Sequence, residues 1–268
     1  DFGFTGQIYS LLEVLPRKRQ NMLFSATFSD RVKKISDDFM EFPVFIDVVP
    51  QVKTAAKVEQ YLYTVISFQT KLNLLNHLLS DKEIFNKLII FCKSKKNANR
   101  VAEVLQANYE TDGINVLHGD KTQQTRVNAI NRFREEQIRI LIATDVAARG
   151  IDVPGVSHVI NFDVPLVYED YIHRIGRTGR AFASGFSVTF VEPQDEWHIK
   201  KIQKLAGISI KRLNMPESVE QVQPGKEEIK LREMEIDRQK RKDNPEFKGA
   251  FHERKSKSGK KGRHAGRK

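Results

Sequence analysis

The sequence predicts an α/β protein built on a parallel sheet with helices on both faces. Two observations carry this. Several apolar runs are near-continuous rather than alternating, as strands buried on both faces require. Between them lie amphipathic stretches of helical period, and this alternation persists through residues 58–213. Strand–helix alternation over that length implies parallel strands joined by right-handed crossovers.

In chain order, strands are expected at 21–25, 44–48, 60–66, 88–92, 114–117, 138–143, 158–162 and 186–191. Helices are expected at 30–39, 71–79, 97–109, 122–135, 168–175 and 196–205. In the 97–109 segment Val101, Val104, Leu105 and Tyr109 recur at helical spacing, and Val127, Ile130 and Phe133 do so in the next. Residues 1–48 hold two strands and a helix, too few to cover a parallel sheet, and read as the end of a domain whose start is absent. Residues 49–57 have no clear period and read as a linker. Residues 58–213 make one complete α/β unit of ordinary size. Residues 214–268 are polar: 227–242 is read as a marginal exposed helix, and the rest as a largely disordered basic tail.

Composition bounds the function. The 268 residues include 40% hydrophobic side chains, enough for a core. A single cysteine, Cys92, excludes a disulfide framework and a Cys-based zinc site, and fits a reducing cytosolic compartment. No window approaches the ~18 consecutive apolar residues of a membrane span. The net charge of +11 suggests a polyanionic partner. Eight of the 45 basic residues lie in 254–268, where there is no acid. The other 253 residues hold 37 basic and 34 acidic side chains, so most of the excess belongs to the tail.

Four loops at strand ends carry phosphate-type chemistry. The densest segment runs from His173 to Arg180, His-Arg-Ile-Gly-Arg-Thr-Gly-Arg. Arginine binds phosphate bidentately, and glycine lets the backbone turn so that guanidinium groups converge. A solvated basic helix end is the plainer reading. Residues 143–152, Ala-Thr-Asp-Val-Ala-Ala-Arg-Gly-Ile-Asp, follow an apolar strand where α/β sheets bind ligands; a solvated turn with a helix cap is the alternative. Residues 117–126 end a strand and open a helix, with Gln123 and Arg126 on one helix face. Residues 91–96, Phe-Cys-Lys-Ser-Lys-Lys, present Ser94 and lysines at a third strand end. Thr122 and Ser94 could equally be plain N-caps, and Cys92 reads as a core residue. Jointly these loops form a nucleotide- and nucleic-acid-binding edge. No Gly-x-x-x-x-Gly-Lys-Ser/Thr loop occurs in the 268 residues.

With Ser25-Ala26-Thr27 and Ile90-Phe91, these motifs occur in the order and spacing of the C-terminal half of a DEAD-box RNA helicase, a resemblance covering roughly residues 1–213. The motif beginning at His173 sets that family apart from related helicases, which usually start it with Gln. The pattern with its basic tail resembles the bacterial RhlE-type subgroup. The opening Asp1-Phe2-Gly3-Phe4 resembles the stretch just after the Asp-Glu-Ala-Asp box, so the chain would begin past that box.

The resemblance implies a helicase C-terminal RecA-like domain, preceded by the end of a first RecA-like domain that binds ATP with Mg²⁺ through residues upstream of this chain. It implies that Arg177 and Arg180 reach the γ-phosphate and that Gly150 and Asp152 meet the ribose. His173 and Arg174 would link ATP and RNA sites, and Ser25 and Thr27 would couple hydrolysis to strand separation. Ser94, Gly119, Gln123, Arg126 and Thr144 would hold the RNA backbone without reading sequence. None of these is a metal ligand. The expected function is RNA-stimulated ATP hydrolysis driving local duplex unwinding in the cytoplasm, with no membrane partner. Expected partners are RNA, the upstream RecA-like domain, and complexes of RNA processing, ribosome assembly or RNA decay. By itself this chain is expected to be inactive as an ATPase. The competing readings are a stand-alone RNA-binding or annealing module without ATPase activity, and a DNA-acting helicase, against which His173 argues.

Overall fold

The computed structural model describes residues 5–16, 18–25, 30–46, 58–109, 113–148, 151–179, 184–244 and 246–247. The chain divides into two compact units, residues 1–50 and 51–268.

The first unit contains α1 (Thr5–Val14) and α2 (Asp30–Phe39). Tyr9 joins them: its hydroxyl donates to Asp38 Oδ2 at 2.7 Å and its ring meets Phe39 edge-on at 4.9 Å. The strands expected at 21–25 and 44–48 do not form at 21–25 or 44–46, and 47–48 lie outside the described residues. A strand is stabilised by its ladder, and neither run has a neighbour to pair with among the described residues. Their side chains stay out of any core: Phe24 is 85% exposed and Val44 87%.

The second unit is a seven-stranded, all-parallel sheet of order β3-β4-β2-β5-β6-β1-β7. In sequence it runs β1 (Val58–Thr64), α3 (Phe68–Ser80), β2 (Leu88–Phe91), α4 (Lys95–Asn108), β3 (Ile114–Leu117), α5 (Gln123–Arg134), β4 (Ile140–Ala143), α6 (Asp145–Ala148), β5 (His158–Asn161), α7 (Tyr168–Ile175), β6 (Gly185–Val191), a 3₁₀ turn (Pro193–Asp195), α8 (Glu196–Ala206), β7 (Lys211–Leu213) and α9 (Lys226–Asp243). The α/β expectation holds, and its continuous apolar runs are the central strands. Along β2, Leu88 and Ile90 enter one apolar cluster with α3 and α4, while Ile89 and Phe91 enter the other with α5 and α6. Strand side chains alternate in direction, so a strand covered on both faces must be apolar at every position. Each such fully buried side chain contributes about 1.5–3 kcal/mol.

In the first unit α1 was not expected, and in the sheet unit neither were β7 and α6. β7 is a three-residue edge strand paired to β1 and carries exposed Lys211 and Arg212, which keep an edge soluble. α6 is a single turn. Residues 227–242 were expected as a marginal exposed helix; the helix forms, as α9, but it docks on the sheet unit and buries Asp237 and Gln239 to 2% and 5% exposure. Its anchors are polar. Glu228 Oε1 accepts from Phe68 N at 2.8 Å, Arg232 Nη2 donates to Ile66 O at 2.5 Å, and Gln239 Nε2 donates to Gln194 O at 2.9 Å. Acids in its first turn and Lys240, Arg241 and Lys242 in its last suit the helix dipole.

His158 is 5% exposed between the rings of Phe85 and Phe186, at 4.3 and 5.1 Å, and burial pushes its imidazole down to about 4. The folded state therefore holds a neutral ring that the unfolded chain protonates below its ordinary value. Stability present above pH 6.5 is lost as the pH falls towards 4. Urea unfolding at pH 7.5 and 4.5 should show wild type losing about 2 kcal/mol more than His158→Phe over that interval.

Candidate functional site

Because every strand runs the same way, the C-terminal ends of β3, β4, β2 and β5 line one edge in that spatial order. The expected loops follow from it. Ser94 comes three residues after β2 and caps α4, its Oγ accepting from Asn97 N at 3.1 Å. Thr122 caps α5 in the same way through Thr125 N at 3.2 Å. The cap reading is therefore right for both residues, and it is also what fixes these loops at the edge. Past β3, His118 is 4% exposed and meets Asn99 Oδ1 through Nε2 at 3.0 Å. Burial, then the neighbouring Lys121, hold its imidazole below the usual range. Gly119, beside it, is exposed, and a Cβ there would have no atom within 4 Å. Gln123 and Arg126 share a face of α5, where Arg126 Nη1 donates to Gln123 Oε1 at 3.2 Å. Arg126 also reaches Ala147 O of α6 at 3.4 Å, tying two of the loops together. Half-buried Thr144 extends β4 through Thr144 N to Leu117 O at 3.1 Å, and its carbonyl accepts from Ala148 N.

The arginine-rich segment sits beside this strip, at the end of α7. Arg174 is 1% exposed. Its Nε and Nη2 grip Asp145 Oδ1 and Oδ2 at 2.6 and 2.8 Å; its Nη1 donates to Asn161 Oδ1 at 3.2 Å and Asp163 O at 2.6 Å. The guanidinium lies over the Phe91 ring at 5.1 Å. A guanidinium cannot shed its charge, so burial demands acceptors of this kind. Arg174 thus bonds inside the unit, joining the 143–152 loop to β5. His173 and Arg177 are half-exposed, and they share a shallow cleft with Asp145 and Asp170. His173 Nδ1 stands 3.7 Å from Asp170 Oδ1. Arg177 donates through Nε to His173 O at 3.1 Å and through Nη1 to Ile151 O. The residue after Ile151 is Asp152, exposed between buried Ile151 and Val153, so Arg177 and Asp152 are one hydrogen bond and one residue apart.

The segment is fixed from below. Thr178 Oγ1 donates to Val156 O at 2.5 Å and Ser157 O at 3.0 Å. Gly179 takes φ +68°, which favours glycine. A Cβ on Gly185, at the start of β6, would come within 3.0 Å of Gly179 N, Gly179 Cα and Thr178 Oγ1. Among the expected site residues, Thr27, Gly150 and Arg180 lie outside the described residues; Ser25 is exposed in the first unit. Among the described residues no three His, Cys, Asp or Glu converge to hold a metal.

Three residues organise the arginine: Asp145, which sequence reasoning took only as a possible ligand contact of its loop, and Asn161 and Asp163, which it missed. The signal for the last two was there: both are polar positions at the end of the apolar run 158–162, where no polar group survives burial without a partner. Asp163 is the most heavily used. Its Oδ1 accepts from Lys71 Nζ at 3.0 Å, and its Oδ2 from Lys93 N at 3.0 Å and Asn97 Nδ2 at 2.8 Å. Burial acts to raise its carboxyl, but Lys71, Lys93 and these donors hold it at about 2.

A family model described as the Helicase conserved C-terminal domain matches residues 70–182. A "DEAD-box ATP-dependent RNA helicase CshA" of Geobacillus kaustophilus is 36% identical over 235 residues, 87% of this chain and 49% of that protein. The chain spans about half the length, or less, of the curated relatives it matches. Among solved structures, S. cerevisiae Dbp5 bound to RNA and ADP BeF3 matches with TM-score 0.68 and 32% identity, over 80% of this chain and 56% of that one. The E. coli DEAD-box protein SrmB, bound to regulator of ribonuclease activity A, matches with TM-score 0.56 and 36% identity, over 63% of this chain and 97% of that one.

Two glycine substitutions should separate packing from exposure. Gly185→Ala should cost about 1–3 kcal/mol in urea unfolding, because backbone cannot yield to the new methyl. Gly119→Ala should change stability by less than about 0.5 kcal/mol.

Proposed function

We propose, from the fact that this chain belongs to the DEAD-box helicase family, that it supplies the C-terminal part of an ATP-dependent RNA helicase. The observation that carries this is the single sheet edge on which Ser94, Gly119, Gln123, Arg126 and Thr144 stand beside the His173–Arg177 segment. RNA would lie along the first group through its sugar–phosphate backbone, so binding would not depend on base sequence. ATP, with Mg²⁺, would supply the free energy for separating strands. Mg²⁺ would be held mainly by the first RecA-like domain upstream of this chain, as the family resemblance implies.

Within this chain the nucleotide-side roles fall to residues near the cleft. Arg177 would stabilise negative charge at the transferred phosphate, with its orientation held by His173 O and Ile151 O. Asp152, with Gly150, would meet the ribose, and Arg180 would act beside Arg177. His173, half-exposed on the same turn, would respond to both ligands. Arg174 would act from inside, keeping the 143–152 loop and α7 in one arrangement. Ser25 and Thr27 would couple hydrolysis to strand separation. The cytoplasm is the proposed compartment; among the described residues no helix is long and apolar enough to cross a membrane. Complexes of RNA processing, ribosome assembly or decay are the partner class proposed.

A second reading, an RNA-binding or annealing module without ATPase activity, is favoured by the +8 arm. ATPase assays divide the two. In a protein joining this chain to a phosphate-loop domain, Arg177→Ala should lower RNA-stimulated hydrolysis by ~10³-fold while RNA affinity changes less than about twofold. An equal collapse of RNA affinity would remove the phosphate role. This chain alone should show no RNA-stimulated turnover. Removing 254–268 should make RNA affinity less steep in salt, lowering the log–log slope by up to about 6 on single strands for the eight charges lost.

A further inference from the structure

Asp163, Lys71 and Glu192 form a buried ionic cluster in the sheet unit, and none of the ligand-binding roles above uses the Asp163 carboxylate. Lys71 is 1% exposed and lies between Asp163 Oδ1 at 3.0 Å and Glu192 Oε2 at 3.3 Å. Burying these charges is costly, so such a cluster is weak evidence of stabilisation and points to a geometric role. The geometry is specific. Two of the three donors to the Asp163 carboxylate come from Lys93 and Asn97, which flank Ser94 on either side. The Asp163 carbonyl accepts from Arg174 Nη1, the buried arginine beside His173. Asp163 N donates to Phe91 O at 3.3 Å, continuing the β2–β5 pairing to this point.

We propose that Asp163 is a positioning residue, anchored by Lys71, that holds the Ser94 loop in its RNA-binding shape and ties that shape to Arg174 of the arginine-rich segment. The proposal rests on the reading of Ser94 as an RNA-backbone contact. Its action runs through the loop. The carboxylate fixes the backbone before Ser94 and the side chain that opens α4 after it, so the cap from Ser94 Oγ to Asn97 N keeps its geometry. Ser94 Oγ, having accepted that N–H, keeps its own O–H to donate to a phosphate. A rotation of α7 carrying Arg174 would pull on the Asp163 carbonyl and reach Ser94 through the same residue.

The test is a double-mutant cycle on the full chain, read as affinity for a short single-stranded RNA by fluorescence anisotropy at about 0.3 M salt, where exposed basic residues are largely screened. Ser94→Ala, Asp163→Asn and Asn97→Ala should each weaken binding about fivefold. Either of the last two combined with Ser94→Ala should weaken it no further than the larger single effect. Asn97→Ala is included because it removes one donor to Asp163 without stranding a buried charge, so its folded fraction is secure even if Asp163→Asn unfolds. A role in stability alone would leave the affinity of the folded fraction unchanged, or make the effects multiply. Either result, with Ser94→Ala still weakening binding, would overturn the positioning role and leave the RNA reading intact. No effect of Ser94→Ala would overturn both.

Discussion

A guanidinium withdrawn from water must be surrounded by acceptors, and meeting that demand for Arg174 fixes much of this domain's working edge. Asp145 at the start of α6, Asn161 within β5 and the carbonyl of Asp163 just beyond β5 all turn toward one side chain of α7. No apolar side chain could impose the same registration, because dispersion contacts tolerate sliding and a two-oxygen grip does not. The half-exposed neighbours, His173 and Arg177, are aimed by this buried member of their own turn. The charged residue that shapes the cleft most is thus one that barely faces it.

The arrangement also explains how a nearly neutral body can be a candidate polyanion site. Formal charge outside the last 15 residues is only +3. What the fold contributes is convergence. Parallel strands deliver the loop after each strand to the same edge, so chemistry spread over roughly 90 residues of sequence is compressed into a strip. Caps then lock the loops, and the Ser94 hydroxyl that caps α4 is also one the strip presents.

Much of this was legible in the sequence, for physical reasons that differ by element. The central strands announced themselves because burial on two faces leaves no room for polar residues, as in Leu88–Phe91. The Gln123–Arg126 pair followed from helical spacing alone. The runs at 21–25 and 44–48 misled because apolar, β-prone residues specify a strand only when a neighbour exists to ladder with. β7 was invisible because three residues, two of them exposed and basic, carry no pattern. α9 was read as exposed because its docking uses hydrogen bonds from Glu228, Arg232 and Gln239 instead of an apolar stripe, and periodicity does not register those. Asp163 was missed, and Asp145 was read as facing a ligand instead of Arg174, for a related reason: a carboxylate's spacing says nothing about whether a buried arginine lies opposite.

The docking of α9 has a consequence for the sheet beneath it. Gln239 binds the carbonyl of Gln194, in the turn that follows β6, while Glu228 and Arg232 grip the chain just past β1. β1 and β6 are neighbours, so the helix bridges the exits of two adjacent strands and works as a clasp across that end of the sheet.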